Sequence, residues 1–110
     1  MQDPTLQQII AGMPSRYNPD AVKGLKAVLQ FILSGDEPVN FHAVIENGEC
    51  RTAEGIHQNP TITLKMSSKT YVDMVMDRLT GQQAFFLRRL QMEGPISLAT
   101  KLNKLFTPLN

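Results

Sequence analysis

The sequence has one cysteine, two histidines and no long apolar run, and each of these shortages excludes a class of protein. A lone thiol, Cys50, allows neither an intrachain disulfide nor a multi-thiolate metal site, and it suits a reducing compartment. No apolar segment approaches the ~20 residues that span a membrane. The N-terminus has neither the basic stretch nor the apolar core of a signal peptide. We therefore expect a soluble, cytoplasmic protein.

The net charge is also small, because the 11 Lys and Arg residues nearly balance the 10 Asp and Glu residues and give +1. Without a basic run or an aromatic–basic alternation, we expect no binding to nucleic acid. The charges are unevenly placed. Residues 35–67 carry five acidic and two basic residues, whereas residues 68–110 carry three acidic and six basic ones. Ordinary solvated faces explain this asymmetry, and a functional basic surface is the alternative.

Candidate catalytic groups are equally scarce. His42 and His57 lie in no nucleophile-elbow or Cys-His context and lack metal-ligand spacing, so we interpret both as structural or solvent-exposed. Asp73 and Asp77 stand four residues apart on one predicted helix face, which is typical of solvated surface. The seven glycines mark turns and helix ends, and none forms a phosphate-binding loop. The sequence thus predicts no catalytic residue, metal or cofactor. A hydrolase or thioesterase that uses either histidine is one alternative.

Periodicity predicts helices first and strands next. An Asp3 cap followed by Pro4 begins a helix that Pro14 ends, and Asn18-Pro19 begins a second, shorter helix that runs to Leu25. Four segments separated by turn residues then have strand character: a β-rich run, a segment of alternating apolar and polar residues, a polar segment and a segment with three apolar residues to bury. The predicted strands are residues 26–34, 39–46, 49–54 and 61–67. Asn47-Gly48 is a strong hairpin signal, and the polar segment after it is expected at a sheet edge.

The second half of the chain returns to a helical period. Ser67 or Ser68 can cap a helix whose apolar stripe extends to Leu79, and Thr80-Gly81 ends it. A short helical turn over residues 82–88 and a strand around Leu90 and Met92 follow. Gly94-Pro95 opens a final helix that reaches Phe106. This order predicts one α+β domain over residues 1–110, with a mixed sheet and helices mainly on one face.

Apolar side chains are abundant between Met66 and Phe106. Four of the six methionines lie between residues 66 and 92. Because methionine is flexible and polarizable, it fills gaps in cores and also suits surfaces that accommodate ligands of several shapes. Composition alone leaves both interpretations open.

Short motifs in a defined order resemble the sterol carrier protein 2 family over residues 28–102, which are 75 of the 110 residues. Each motif alone is weak, but their order and spacing on the predicted elements are specific. The motifs are Val28-Leu29-Gln30-Phe31-Ile32-Leu33-Ser34-Gly35, Asn47-Gly48, Asn59-Pro60-Thr61-Ile62-Thr63-Leu64, Gln82-Gln83-Ala84-Phe85-Phe86, Leu90-Gln91-Met92-Glu93-Gly94 and Leu98-Ala99-Thr100-Lys101-Leu102.

This resemblance implies a sterol carrier protein-like fold, in which helices cover a five-stranded mixed sheet around an apolar tunnel. It also implies binding and transfer of fatty acids, fatty acyl-CoA, phospholipids, isoprenoids or sterols, without catalysis. The expected ligand-binding residues are apolar positions of the sheet and of the C-terminal half of the chain. They are Phe31, Phe41, Met74, Val75, Leu79, Phe85, Phe86, Leu90, Met92, Ile96, Leu98, Ala99, Leu102 and Phe106.

The chain departs from the family pattern at four places that bear on the cavity entrance and on ligand identity. Thr80-Gly81 replaces the usual Asn-Pro, and Thr80 can still cap the following helix. Arg88-Arg89 replaces a common Gly-Lys, which removes a glycine and adds charge. Pro95-Ile96-Ser97 stands where the last helix usually begins with glycines, and Thr100 replaces a common methionine.

Two hypotheses about mechanism follow from the resemblance. In the first, residues 82–88 or the terminal helix act as a lid over a cavity that sequesters a lipid reversibly. Basic side chains then meet an anionic headgroup or membrane surface, unless they only aid solubility. These side chains are Arg78, Arg88, Arg89, Lys101 and Lys104. In the second hypothesis, the chain is a dimerisation or accessory module that presents a hydrophobic substrate to partner enzymes, as in isoprenoid-quinone biosynthesis. Monomer and homodimer both stay open.

Overall fold

The computed structural model describes residues 4–109, and these contain five strands and six short helices. The strands are β1 (Ala27–Ser34), β2 (Val39–Glu46), β3 (Glu49–Glu54), β4 (Ile62–Ser67) and β5 (Leu90–Glu93). The helices are α1 (Leu6–Ala11), α2 (Met13–Arg16), α3 (Ser68–Val75), α4 (Gly81–Phe86), α5 (Ile96–Ala99) and α6 (Leu102–Leu105).

The strands form one mixed sheet in the order β3-β2-β1-β4-β5. β1 and β4 pair in parallel, and every other neighbouring pair is antiparallel. The predicted α+β class with a mixed sheet is thus confirmed, and β3 lies at an edge as expected. At the β2–β3 hairpin, Asn47 and Gly48 have φ angles of 54° and 76°. Two consecutive positive φ angles are the requirement of the turn that Asn-Gly favours.

One face of the sheet is apolar because alternate residues of each strand point to the same side. Phe31 on β1 lies opposite Phe41 on β2 and beside Leu64 on β4. The two phenylalanine rings stack with their centroids 4.6 Å apart. All three side chains are buried, and they belong to one hydrophobic core that also receives α1 and α3. We call this the inner face of the sheet.

The opposite, outer face carries the connection from β3 to β4, which Gln30 holds in place. Gln30 is only 1% exposed. Its amide nitrogen donates to the carbonyl oxygens of Phe41 and Gly55, both at 3.1 Å, and its amide oxygen accepts from the backbone N–H of His57 at 2.8 Å. Residues 55–61 therefore cross the outer face above the buried side chain of Gln30. The hydrogen bonds of its amide replace those that water would otherwise make with the amide and with the backbone.

The N-terminal helices differ from the sequence prediction. The predicted Asp3 cap lies outside the described residues, and Thr5 caps α1 through a reciprocal capping box with Gln8. Pro14 does not end the helical segment but lies in the first turn of α2, where its missing N–H has no acceptor to lose. The prediction of a helix after Asn18-Pro19 was wrong. Residues 19–24 form turns instead, since Gly24 adopts a φ of 74°.

Two helices of the C-terminal half begin as predicted but end differently. Ser67 caps α3 and Thr80 caps α4. α3 stops before Leu79 because Asp77 has a φ of 61° and the N–H of Arg78 donates to the carbonyl of Asp73, which is the six-to-one bond of a Schellman motif. α4 ends in the same way, with Arg88 at φ 59° and the N–H of Arg89 bonded to the carbonyl of Ala84.

The prediction of one continuous terminal helix was also wrong, because the segment after Pro95 is divided into α5 and α6. Thr100 lies at the break, and its hydroxyl donates to the carbonyl of Ser97 at 3.0 Å. Such a local side-chain bond competes with the helical backbone bonds. The division lets Leu98 and Leu105 both reach the core, with 8% and 0% exposure.

We predict that Gln30→Leu lowers the free energy of unfolding by about 1–3 kcal/mol, because the half-buried His57 N–H loses its acceptor and the Gly55 carbonyl keeps only its contact with His42. Urea denaturation of the purified variant measures this change. Gln91→Leu is the matched control, since Gln91 is exposed on β5 and should change stability by less than about 0.5 kcal/mol. Equal stability of the two variants would refute the role of Gln30.

Candidate functional site

A cavity of about 560 Å³ lies between the inner face of the sheet and the helices of the C-terminal half. Small-molecule sites in proteins typically have volumes of roughly 300–1,000 Å³. Its floor consists of apolar residues from three adjacent strands, β1, β4 and β5. These floor residues are Leu29, Phe31, Leu64, Met66, Leu90 and Met92. The floor of the cavity is thus entirely apolar.

Three further parts of the chain supply the walls. The first is α3, which contributes Tyr71, Met74 and Val75, together with Leu79 in the loop after it. The second is the N-terminal segment, which contributes Met13 and Arg16. The third is the C-terminal segment, which contributes Ile96, Ala99, Thr100, Leu102, Asn103, Phe106, Thr107 and Pro108. Most of these side chains are apolar, so the cavity suits an apolar guest.

The mouth of the cavity lies between α4 and α5. Phe85 of α4 and Ile96 of α5 both line the cavity, yet they are 54% and 80% exposed. Three exposed polar residues, Asp77, Gln82 and Asn103, also line it. A guest molecule would therefore enter past aromatic and aliphatic side chains with polar groups beside them.

Of the fourteen residues expected to bind ligand, eleven line this cavity. They are Phe31, Met74, Val75, Leu79, Phe85, Leu90, Met92, Ile96, Ala99, Leu102 and Phe106. Phe41 does not line the cavity, because it is fully buried behind the stacked ring of Phe31. Leu98 packs into the core, and Phe86 lies 88% exposed beside a second, more open surface depression. Ligand contact by the fourteen residues stays a prediction.

Thirteen residues that line the cavity were not among the expected ones. They are Met13, Arg16, Leu29, Leu64, Met66, Tyr71, Asp77, Gly81, Gln82, Thr100, Asn103, Thr107 and Pro108. Strand alternation could have identified Leu29, because it shares a face with Phe31. Met13 and Arg16 had no local signal. They reach the cavity because the N-terminal and C-terminal segments pair through a bridge between Tyr17 and Phe106, far apart in the chain.

Two polar groups lie within this apolar cavity. The Tyr71 side chain is 4% exposed, and its buried hydroxyl has no hydrogen-bond partner among residues 4–109. Arg16 donates from Nη1 to the carbonyl of Ile9 at 3.1 Å, while its buried Nε has no partner in the same part of the chain. Burial raises the pKa of Tyr71 to about 12, although the positive charge of Arg16 acts to lower it. The hydroxyl is therefore a neutral hydrogen-bond donor at physiological pH.

The five predicted headgroup contacts fall into two groups. Arg78 and Arg89 pair with Asp73, at 3.7 and 3.3 Å, and Arg89 also donates to the Thr70 hydroxyl at 3.2 Å. Their role is at least partly structural, because Arg89 ties the start of β5 to α3. The other three, Arg88, Lys101 and Lys104, are exposed and make no ion pair within the described chain.

The interpretation of Asp73 as solvated surface was wrong. Its side chain is only 13% exposed and lies within 4 Å of three cations, of which Lys69 is at 3.2 Å. Burial acts to raise the pKa of Asp73, but hydrogen bonds from Lys69 and Arg89 and the nearby charges outweigh it, so the pKa is lowered. Asp77 adopts a left-handed backbone at the mouth and is exposed, as expected.

The two histidines lie on the outer face of the sheet, away from the cavity. His42 Nδ1 is 3.1 Å from the Gly55 carbonyl, and His57 Nδ1 accepts from the N–H of Asn59 at 3.0 Å. Their rings are 5.2 Å apart, a proximity that the sequence did not predict. Within residues 4–109, no cluster of three His, Cys, Asp or Glu side chains could hold a metal ion. Burial raises the pKa of the Cys50 thiol to about 11, which keeps it protonated.

None of the described helices is long and apolar enough to cross a membrane.

Comparison with known proteins identifies one family. The model of the SCP-2 sterol transfer family matches residues 6–107. Hydroxysteroid dehydrogenase-like protein 2 of Xenopus tropicalis is 28% identical over 106 residues. That alignment covers 96% of this chain but 25% of the relative, so the chain spans about a quarter of the relative's length.

Solved structures share the fold at low sequence identity. The sec-alkylsulfatase Pisa1 from Pseudomonas sp. matches with a TM-score of 0.81 and 15% identity, over 97% of this chain and 17% of the sulfatase. Sterol Carrier Protein-2 from Aedes aegypti, in complex with the C16 fatty acid palmitate, matches with a TM-score of 0.72 and 17% identity, over 94% of each chain. The UbiJ-SCP2 ubiquinone synthesis protein matches with a TM-score of 0.65 and 13% identity, over 94% of this chain and 92% of that one.

We predict that Asp73→Asn lowers the free energy of unfolding at pH 7 by about 1–2 kcal/mol, because α3 and β5 lose their shared carboxylate. The folded pKa of Asp73 is lowered, so its stabilisation is complete above the ordinary value near 3.8 and is lost as the pH falls through the folded pKa. Urea denaturation at several pH values should show the difference from wild type shrinking as the pH falls below the ordinary value of 3.8. Asp36→Asn, at an exposed loop position, is the control. A difference that did not shrink with falling pH would contradict the assignment.

Proposed function

Because its family model matches residues 6–107, the chain belongs to the SCP-2 sterol transfer family, and we propose that it binds lipid-like ligands in its cavity and transfers them without catalysing a reaction. The candidate ligands are fatty acids, fatty acyl-CoA, phospholipids, isoprenoids and sterols. The observation that carries this proposal is the cavity of about 560 Å³ on the apolar face of the sheet. The palmitate complex of the mosquito relative supports a single acyl chain as the first ligand to test.

The energetics of an apolar tail agree with a carrier. Each methylene removed from water contributes about 0.8 kcal/mol, so a tail of ~14 methylenes gives roughly 11 kcal/mol as an upper bound. Association and ordering of the tail oppose this by several kcal/mol. The remainder of about 6–8 kcal/mol corresponds to dissociation constants of roughly one to tens of micromolar. Such affinities are strong enough to remove a lipid from water and weak enough to release it.

We propose that the chain itself is not an enzyme. His42 and His57 are engaged with the backbone on the face of the sheet opposite the cavity, which leaves them no route to a bound ligand. The relative from Xenopus tropicalis is about four times longer, so whatever its remaining segments do is not attributed to this chain. We also propose a reducing, cytoplasmic location, which agrees with a single, buried and protonated thiol.

We propose that α4 is the lid. The C-terminal segment is fixed by backbone hydrogen bonds, such as those from Asn18 N–H to the Leu105 carbonyl at 2.7 Å and from Leu109 N–H to the Val75 carbonyl at 3.0 Å. In α4 only Ala84 is buried, while Phe85, Phe86 and the C-cap residue Leu87 are exposed. Weakly packed elements open at the lowest free energy. Displacement of α4 would widen the mouth while the sheet and α3 keep their positions.

The same side of the protein is suited to transient contact with an anionic membrane. Phe86, Leu87 and Ile96 are 88%, 63% and 80% exposed; Ile96 lines the mouth, whereas Phe86 lines the neighbouring surface depression and Leu87 follows it at the end of α4. Arg88 lines the same depression as Phe86, makes no ion pair within residues 4–109, and has a left-handed backbone in which glycine would cost less. Exposed apolar side chains beside unpaired cations are typical of surfaces that bind anionic lipid. We propose that ligand passes between membrane and cavity at this surface.

The second candidate function is an accessory module that presents a hydrophobic substrate to partner enzymes. The fold shared with the UbiJ-SCP2 ubiquinone synthesis protein favours it. In that case the outer face of the sheet would be the contact surface, and a homodimer with a filled interior would be expected in solution. Light scattering together with mass spectrometry of lipid extracted from the purified protein separates the two candidates.

We predict that Met92→Trp weakens fatty-acid binding by at least about tenfold, because an indole in place of a half-buried cavity side chain occupies the volume of several methylenes. Displacement of a fluorescent fatty acid by palmitate measures the affinity. Gln91→Trp is the matched control, since Gln91 is the neighbouring residue of β5 and its side chain is exposed on the other face of the sheet. If wild-type protein binds no acyl chain, acyl-CoA or isoprenoid at tens of micromolar, the carrier proposal fails.

For the membrane contact, we predict that Phe86→Ser and Arg88→Gln each reduce binding to vesicles of phosphatidylserine and phosphatidylcholine by about threefold to tenfold. Co-sedimentation with the vesicles at low salt measures the bound fraction. Ile56→Ser is the control, because Ile56 is also 60% exposed but lies in the loop that crosses the outer face of the sheet. An equal loss of vesicle binding in all three variants would place the contact elsewhere.

A further inference from the structure

We propose that Arg16 and Tyr71 form an anchor inside the cavity that binds the carboxylate of a long-chain acid. This inference rests on the proposed lipid-binding function and narrows it to free acids whose head is enclosed by the protein. The ligand would lie with its carboxylate against α2 and α3 and with its tail along the apolar floor. Neither residue belongs to the positions that the family resemblance identified.

The first support is the buried hydroxyl of Tyr71. The ring packs edge-on against Phe31 and Phe41, with centroids 5.6 Å away in both cases, so the sheet fixes its orientation. The residue is 4% exposed and lines the cavity, and its hydroxyl has no acceptor among residues 4–109. Buried polar groups in folded proteins normally have a hydrogen-bond partner. An acceptor supplied by a ligand in the cavity satisfies this donor.

The second support is the guanidinium group of Arg16. It lines the same cavity, donates through Nη1 to the Ile9 carbonyl, and makes no ion pair within residues 4–109. The unpartnered, buried Nε is an N–H donor, since arginine stays protonated in proteins. Its positive charge also acts on Tyr71, so both donors serve one region of the cavity. Two donors and one positive charge match the two oxygens of a carboxylate.

The third support is the distribution of charge along the cavity. Arg16 is the one basic residue among the side chains of the described chain that line it, and Asp77 is the one acidic residue. Asp77 is exposed at the mouth, where its charge repels a carboxylate. Both charges therefore favour the same orientation of an acid, with its head inside and its tail directed toward α4 and α5.

This assignment distinguishes between lipid classes of equal tail length. A methyl ester cannot present a negative charge to Arg16, and an alcohol offers one neutral oxygen. The head of an acyl-CoA is far larger than a carboxylate and would not fit beside Tyr71 within a cavity of about 560 Å³. We therefore expect wild-type protein to prefer palmitic acid over methyl palmitate by at least about tenfold.

The experiment measures displacement of a fluorescent fatty acid by palmitic acid, methyl palmitate and hexadecanol at neutral pH. Arg16→Met should reduce the preference for the acid over the ester to about one while keeping the affinity for the ester. Tyr71→Phe should reduce the affinity for the acid by about threefold to tenfold, again without loss of ester binding. Lys23→Met removes an exposed positive charge far from the cavity lining and should leave all three affinities unchanged.

Retained binding of the ester shows that each variant keeps a folded cavity, and Tyr71→Phe tests the anchor by itself if Arg16→Met does not fold. Equal affinities of wild-type protein for acid and ester would overturn the anchor and leave the carrier function intact. Unchanged preference in both variants would overturn it as well. Failure of wild-type protein to bind any of the three probes would instead overturn the proposed function.

Discussion

The apolar inner surface of β1, β2, β4 and β5 must be covered, and no helix within residues 4–109 is long enough to cover it alone. The longest helix of that part of the chain, α3, has eight residues, which correspond to about 12 Å of helix axis. Over β1 and β2 the phenylalanines, α1 and α3 close the core completely, and Phe41 and Ile45 are not exposed at all. Over β4 and β5 the covering elements meet only at their edges. The cavity is the space that remains there, so the shortness of the helices and the presence of a cavity have the same origin.

The walls of that cavity are held by polar contacts around its rim more than by packing across it. Asp73 connects α3 to the start of β5 through Arg89, and the Schellman motifs at Asp77 and Arg88 end the two helices beside the mouth. On the outer face, the amide of Gln30 fixes the crossing loop to the centre of the sheet. Such contacts define the frame of the cavity without filling it. The interior can then adapt to different tails, a property that its methionines favour.

The strands could be predicted within one residue of their observed ends, because alternation and the Asn47-Gly48 turn are local signals. The helix ends could not. Asp77 and Arg88 occupy left-handed positions where sequence rules look for glycine, and Thr100 divides the last helix through a bond of its own hydroxyl. Much of the apolar lining of the cavity was predictable from the resemblance and the stripe of α3. Its polar part was not, because Arg16 lies in an N-terminal segment that pairs with residues near Phe106, far away in the chain.

The polarity of the cavity constrains how a ligand can enter. With Arg16 and Tyr71 at the inner wall and Asp77 at the mouth, an acid has to pass its head between α4 and α5 before its tail can follow. A carboxylate loses hydration on this path and regains hydrogen bonds only at its end, so the barrier to entry is mainly electrostatic. Protonation of the acid near an anionic membrane surface removes most of that cost. The proposed lid, membrane contact and anchor all depend on the incomplete cover over β4 and β5.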